Sequence, residues 1–486
     1  EIEWGEHYGS KKPDEIFKLK QDFDADTLVR SLKDAGFKKV IVTAKHHDGF
    51  AIWNSEYTDY DVANTSYKDG KGDILAEISA AATKYDMDMG LYLSPWDIHE
   101  PSYGYEVDEK GNLIKDEAPE DDYNVFYNNQ LEEILGNPKY GNNGRFKEIW
   151  MDGAKGSGAN AQEYDFKTWF ETIQKHEGIA AGYEADALLF GAGTHTTVRW
   201  IGNEDGFAAE ETWAKARLTN VNGVETLQDG RDGYYSHGFA DGNKWSVPEA
   251  DARITSGWFW GRTKNIPKTI KQLGEMYFRS VGHNSVLLLN IPPNDQGKVD
   301  QAILDRVAEF GKNIKETFSM NYAAQKGVTI SASEVRGNDI AYKTANLIDK
   351  NDDTFWTVND GTTTASMLID LGQDREFDVV SIEEAIKFGQ RITSFKIEYL
   401  SESGEWKTFD KGTTIGSKRL SRQEPVRSSQ LKITVTTNES EPNRVPMISE
   451  VGVYKATDDF AVGNLAPKGL KIVDDRDPAF TYKGSW

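Results

Sequence analysis

From its start to about residue 312 the chain alternates helix-period stretches with short apolar, often β-branched runs, a pattern that dictates a parallel sheet flanked by helices. Residues 24–36 show the helical grammar: Leu28, Val29 and Leu32 share one face, the first turn is acidic, and a glycine closes the stretch. The run 39–43 (KVIVT) comes next as a buried strand. Helices over 74–85, 124–135, 164–176 and 266–281 repeat the pattern, with strands expected at 89–93, 148–151, 187–190, 208–212, 256–260 and 286–290. That makes seven strands, one short of a closed (β/α)8-type TIM barrel, and the simplest place for the first is upstream of Glu1. An open doubly wound sheet is the competing architecture, but no glycine-rich phosphate loop follows any strand.

Beyond Lys312 the period changes. Short alternating runs such as 394–399 (SFKIEY) and 431–435 (LKITV), separated by clusters of Gly, Asn, Asp and Ser, read as an all-β sandwich. The expected organisation is multidomain, α/β plus all-β: a barrel over 1–320, a sandwich over 321–456, and over 457–486 a linker with a tail strand or the start of a further module.

Composition excludes some partners. A net charge of −23 without a basic stripe argues against nucleic acid, no apolar run approaches a membrane span, and the absence of cysteine removes disulfides and thiolate metal sites. The chain opens without a basic-then-apolar signal segment.

In a (β/α)8 barrel the chemistry sits at the carboxyl ends of the strands. Those ends carry KHHDGF at 45–50 with Trp53 beyond, YLSPWD at 92–97, WMDG at 150–153, RWIGNE at 199–204, GWFW at 257–260 and NIPP at 290–293. Paired carboxylates among aromatic walls suit glycoside hydrolysis, one attacking the anomeric carbon and one protonating the leaving oxygen. Asp152, just past an apolar strand and beside the open space of Gly153, is the candidate nucleophile, although an Asp before Gly also caps helices and makes turns. Glu204 is the candidate acid/base, with Trp200 and Phe207 near enough in sequence to raise its pKa by apolar contact. His46 and His47 invite a metal reading, but neighbours on a strand face opposite ways and no third ligand lies close in sequence. No metal is therefore expected there, and hydrogen bonding to sugar hydroxyls is the better functional reading of the pair.

Taken together, TAKHHDGFAIW (43–53), KGDILAEI (71–78), YLSPWD, EIWMDGAKG (148–156), RWIGNEDG (199–206) and SVLLLNIPP (285–293) resemble glycoside hydrolase family 29, the retaining α-L-fucosidases. YLSPWD, WIGNE and Glu3–Gly5 resemble the subgroup acting on α-1,3/1,4-fucose of branched Lewis-type glycans. The resemblance implies Asp152 as nucleophile and Glu204 as acid/base, with His46 and His47 on fucose hydroxyls and Trp53, Tyr92, Trp150 and Trp258 shaping the pocket. It implies no catalytic cofactor and fucosylated oligosaccharides and glycoconjugate glycans as partners. It also implies a periplasmic or secreted bacterial setting, with the signal segment outside this sequence. Two departures stand out. No counterpart exists for the family's first-strand histidine, since His7 lies past the equivalent point, and the chain is longer than expected around 175–185.

The sandwich resembles discoidin-like (coagulation factor type C) carbohydrate-binding modules through NLID at 346–349, TFW at 354–356, LIDLG at 368–372 and ISEV at 448–451. Bracing the barrel and binding sugar are both open to it, and the resemblance allows a structural calcium ion. The alternatives to a fucosidase are a barrel glycosidase of other sugar specificity and a non-catalytic protein that binds fucosylated glycans.

Overall fold

The computed structural model describes residues 12–17, 19, 22–104, 122–156, 161–178, 187–232, 235–261 and 264–462. Glu3–Gly5, His7, residues 179–185 and the tail from 463 onward lie outside the described residues. The described residues fall into two compact units, one running to Lys268 and resuming at Ser285–Lys312, the other combining Thr269–Asn284 with the chain from Asn313.

The first unit opens with a short helix α1 (Pro13–Ile16) and α2 (Ala25–Asp34). The Asp24 carboxylate caps α2 on the Thr27 amide at 3.0 Å, while Val29 and Leu32 bury its apolar stripe. Strand β1 (Lys39–Lys45) is next, then α3 (Ile74–Lys84), capped by Asp73, and β2 (Asp88–Leu93). Helix α4 (Asp122–Leu135), β3 (Glu148–Trp150), α5 (Phe166–Glu177), β4 (Leu188–Phe190) and β5 (Val198–Trp200) continue the series. An excursion intervenes, built from β6 (Lys215–Val221), β7 (Val224–Gln228), β8 (Arg231–Asp232), β9 (Tyr235–Ser236) and β10 (Lys244–Trp245). The sheet then resumes with β11 (Val247–Arg253) and β12 (Val286–Asn290).

The main sheet runs β1-β2-β3-β4-β5-β11-β12, every neighbouring pair parallel, as in a (β/α)8 barrel. Among the described residues this sheet has seven strands, but two of them are not where the apolar pattern put them. Residues 208–212 and 256–260 are irregular, and β5 and β11 take their places. The reason is physical. β5 is only three residues long and centres on a buried Arg199, whose guanidinium donates to the Ser236 hydroxyl at 3.0 Å and to the Trp213 and Ser246 carbonyls. β11 alternates Glu249, Asp251 and Arg253 with Ala250 and Ala252, so its charged residues share one face, inside the barrel. An apolar-run criterion passes over both.

The second unit contains α6 (Ile270–Ser280) and an antiparallel sandwich. Helix α7 (Gln301–Thr317) leads into β13 (Thr329–Ala332), β14 (Trp356–Thr357), β15 (Thr364–Glu384), β16 (Ile392–Leu400), β17 (Trp406–Gly412), β18 (Arg419–Thr437) and β19 (Met447–Tyr454). The order is β14-β19-β15-β18-β16-β17, with β13 on β15. The expected runs at 394–399 and 431–435 fall within β16 and β18. Their alternate residues Phe395, Ile397, Ile433 and Val435 enter a core with Trp356, Phe377, Val451 and Val453. Each such side chain contributes about 1.5–3 kcal/mol when fully buried. No described helix is long and apolar enough to cross a membrane.

Candidate active site

The site is assembled at the ends of β1, β2, β3, β5 and β11. At the end of β1 the register slips, Thr43 facing Tyr92 while Lys45 faces Leu93, so Ala44 is an extra residue that re-aims the side chains beyond it. Lys45 is buried and locked by Asp97 (3.0 Å) and Gln130 (2.8 Å) within a ring of Tyr123, Phe126 and Tyr127. Gly49 (φ +81°) packs on the same anchor, where a side-chain carbon would sit 2.4 Å from Asp97 Oδ1. Because the strand ends at Lys45, the His46 and His47 rings lie together, centroids 4.1 Å apart, rather than on opposite faces. They also meet a third potential ligand: His46, His47 and Asp152 offer atoms within 4.8 Å of one another. Asp152 arrives from a distant strand end, which spacing along the chain does not reveal.

An aromatic stack crosses four adjacent strand ends. His46 lies on Tyr92 (5.6 Å, 6°), Tyr92 on Trp150 (5.1 Å, 19°) and Trp150 on Phe190 (3.9 Å, 9°). Phe259 closes edge-on over His46 at 5.0 Å. Asp152 is partly exposed beside this stack. Its Oδ2 accepts the Tyr92 hydroxyl at 2.8 Å and lies 3.6 Å from His47 Nε2, and its Oδ1 accepts the Ala154 amide at 2.8 Å. Gly191 (φ +71°) lets β4 close on this turn, since a side-chain carbon there would stand 1.8 Å from the Met151 carbonyl oxygen. Burial and the Asp152 charge hold the Tyr92 phenol well above its ordinary pKa, so it remains a donor.

His47 has a defined tautomer. Its Nδ1 lies 2.6 Å from Ser94 Oγ, and that hydroxyl's single proton goes to the Trp96 carbonyl at 2.7 Å. Ser94 must therefore accept from Nδ1–H, which leaves Nε2 as the lone-pair atom facing Asp152. Burial lowers the imidazole pKa against the opposing pull of Asp152, Asp48 and Asp97, favouring that neutral form.

The second candidate carboxylate stands on the loop after β5. Glu204 Oε2 accepts the Trp258 indole N–H at 3.1 Å and lies 3.7 Å from the Arg253 guanidinium, which itself sits 5.4 Å from the Trp258 ring centroid. The expected apolar surroundings are not found: the side chain is 47% exposed and its partners are a cation and an N–H donor. The Trp200 indole N–H donates to Asp251 at 2.7 Å and to the Asn203 carbonyl at 3.0 Å.

Of the sequence-derived residues, the structure gathers His46, His47, Tyr92, Trp150 and Asp152 into one cluster and links Glu204 with Trp258. Trp53 is different. It is fully buried and its indole N–H is spent on Glu133 of α4 at 2.8 Å, so it presents no open surface in this structure. Ser94 and Phe259 stood within strand-end motifs without a role of their own, and Phe190 and the β11 face were not singled out. Glu249 accepts the Trp150 indole N–H at 2.8 Å, and burial and neighbouring Glu148 hold its carboxyl well above the usual range. Asp251 is pushed up to about 7, first by burial, then by Glu204 and Asp152. The E-A-D-A-R alternation of 249–253 was the available signal.

A family model described as alpha-L-fucosidase matches residues 1–317, and one described as F5/8 type C domain matches residues 329–451. An alpha-L-fucosidase 1 of Arabidopsis thaliana is 36% identical over 89% of this chain and 78% of its own length. A putative alpha-L-fucosidase 1 of Oryza sativa is 34% identical over 94% and 80%. Among solved structures, a GH29 fucosidase of Ruminococcus gnavus in complex with fucose is 62% identical, with a TM-score of 0.89 covering 95% of this chain and 90% of that one.

Proposed function

This chain belongs to the alpha-L-fucosidase family, glycoside hydrolase family 29, and on that premise we propose that it releases terminal α-1,3/1,4-linked L-fucose from branched Lewis-type glycans by retaining double displacement. In this reading Asp152 attacks C1 of the fucosyl unit while Glu204 donates a proton to the departing glycan oxygen. Glu204 then takes a proton from water, which opens the fucosyl-enzyme with net retention. The observation that carries the reading is the Asp152 carboxylate: partly open at the end of β3 and oriented by the Tyr92 hydroxyl at 2.8 Å and the Ala154 amide at 2.8 Å. Both histidine rings face the same space, where His47 Nε2 is an acceptor for a sugar hydroxyl and the His46–Tyr92–Trp150 stack is a wall for the apolar face of the ring.

Replacing Asp152 by Ala should lower turnover of an aryl fucoside by about 10⁴-fold or more, and azide should partly restore it as the β-fucosyl azide. Ordinary activity in Asp152→Ala would sink the assignment. The linkage preference rests on YLSPWD and WIGNE. Release of fucose from Lewis-a or Lewis-x in preference to 2′-fucosyllactose supports it, and the reverse order rejects it. We place the action outside the cytoplasm, since branched fucosylated glycans are found there; cell fractionation of the source organism tests this.

From the discoidin-like resemblance of the sandwich we also propose a structural calcium ion, with Asp349 and Glu450 as its carboxylates. Thr354 Oγ1 donates to Asp349 at 2.7 Å, and the Lys350 amide donates to Glu450 at 3.2 Å. Asp349, Thr354 and Glu450 would hold the ion, which would brace the fold and take no part in the chemistry. Chelator should then lower the melting temperature and calcium restore it; an unchanged melting curve excludes the site.

A further inference from the structure

The strand β11 presents three charged residues to the barrel interior, each meeting a different group of the site. Glu249 holds the Trp150 indole, Arg253 lies beside Glu204, and between them Asp251 accepts the Trp200 indole N–H at 2.7 Å. Trp200 shares that proton with the Asn203 carbonyl at 3.0 Å. Asn203 is buried and spans its own loop, its Oδ1 accepting the Asp205 amide at 3.0 Å and its Nδ2 donating to the Phe207 carbonyl at 2.9 Å. Asp205 then pairs with Ala252, the neighbour of Asp251 on β11. The loop 202–207 is thus fastened to β11 at two places, the Asp251–Trp200–Asn203 relay and the 205–252 bridge. Glu204 projects from between them.

We propose that Asp251 is a positioning residue for the reaction, fixing through Trp200 the loop that carries Glu204. This rests on the reading of Glu204 as acid/base. A neutral acceptor is enough for the task. Burial and the neighbouring Glu204 and Asp152 charges push the Asp251 carboxyl up to about 7, so the relay does not depend on a negative charge there. Asparagine, which keeps the Oδ1 acceptor, is then the conservative replacement, and alanine removes it. Trp200→Phe cuts the same link from the other side, keeping the ring and losing the N–H.

The test uses the full chain and two aryl fucosides, one with a poor phenol leaving group and one with a dinitrophenol that departs without a proton. In Asp251→Ala and Trp200→Phe, kcat on the phenyl fucoside should fall by about 10- to 100-fold, as a displaced catalytic group costs. KM should change little, and azide should recover turnover of the dinitrophenyl fucoside. Asp251→Asn should recover most of what alanine loses. Equal losses on both substrates without azide rescue, or no loss at all, overturn the proposal. Where the alanine variant fails to fold, Trp200→Phe carries the test. Glu204→Gln is measured beside them. If it shows no dependence on the leaving group, the reading of Glu204 is wrong; if it does while the Asp251 and Trp200 variants do not, only the positioning role fails.

Discussion

The Tyr92 hydroxyl donates a 2.8 Å hydrogen bond to Oδ2 of Asp152, joining the end of β2 to the end of β3 in the middle of the site. It fixes the orientation of the carboxylate and leaves Oδ1 with the Ala154 amide. Hydrogen bonds to a charged acceptor contribute about 1.5–3 kcal/mol. Tyr92→Phe should therefore lower kcat on an aryl fucoside by about 10- to 100-fold. The melting temperature should fall by no more than the loss of that one bond explains, because the ring stays in the stack. A variant with unchanged kcat would show that the bond plays no part in orienting Asp152.

Ser94 decides which nitrogen of His47 carries the proton. Ser94→Ala removes the acceptor at Nδ1, and the neutral ring is then free to place its proton on Nε2, facing Asp152. Nitrogen chemical shifts of His47 should show Nδ1–H in the wild type and a mixture in the variant, with KM raised by about 10-fold, as loss of one hydrogen bond predicts. An Nδ1–H tautomer persisting in Ser94→Ala would mean that another group sets it.

The raised Asp251 carboxyl has a consequence for stability. The unfolded chain releases this proton near 3.8, whereas the native chain holds it to about 7. Between those values the native state binds more protons, so this group makes stability fall as pH rises across the window, by about 4 kcal/mol at most. Asp251→Asn has no proton to release there. Denaturation midpoints should agree near the bottom of the window and favour the variant above it. A gap that does not change with pH would refute the assignment.

Gly191 allows the approach of β4 to the turn that presents Asp152. At φ +71°, with the Met151 carbonyl 1.8 Å from where a side-chain carbon would stand, Gly191→Ala must displace that turn. A loss of about 2 kcal/mol or more in stability is expected, with a fall in kcat larger than the stability loss alone explains. Wild-type kinetics with a normal melting temperature would show that the turn tolerates the shift.

Much of this could be read along the chain. The helix caps Asp24 and Asp73, the alternation of helix and strand, and the change of period after Lys312 all derive from local pattern. Asp152 could be singled out because it follows an apolar strand and precedes a glycine. Two barrel strands could not be found that way, because β5 buries an arginine and β11 turns charged side chains into a polar barrel interior. Trp53 looked like a pocket wall by position, yet its N–H belongs to Glu133 on α4.

What the sequence determined by itself is therefore the architecture, the family and a short set of candidate reactive side chains, all of which local periodicity and strand-end motifs encode. What the tertiary structure decided is their company. Only folding brings Tyr92 and His47 to Asp152, sets Arg253 and Trp258 against Glu204, and puts Asp251 within the electrostatic reach of both carboxylates. Charge state, tautomer and orientation depend on neighbours from distant strands, and spacing along a chain does not carry that information.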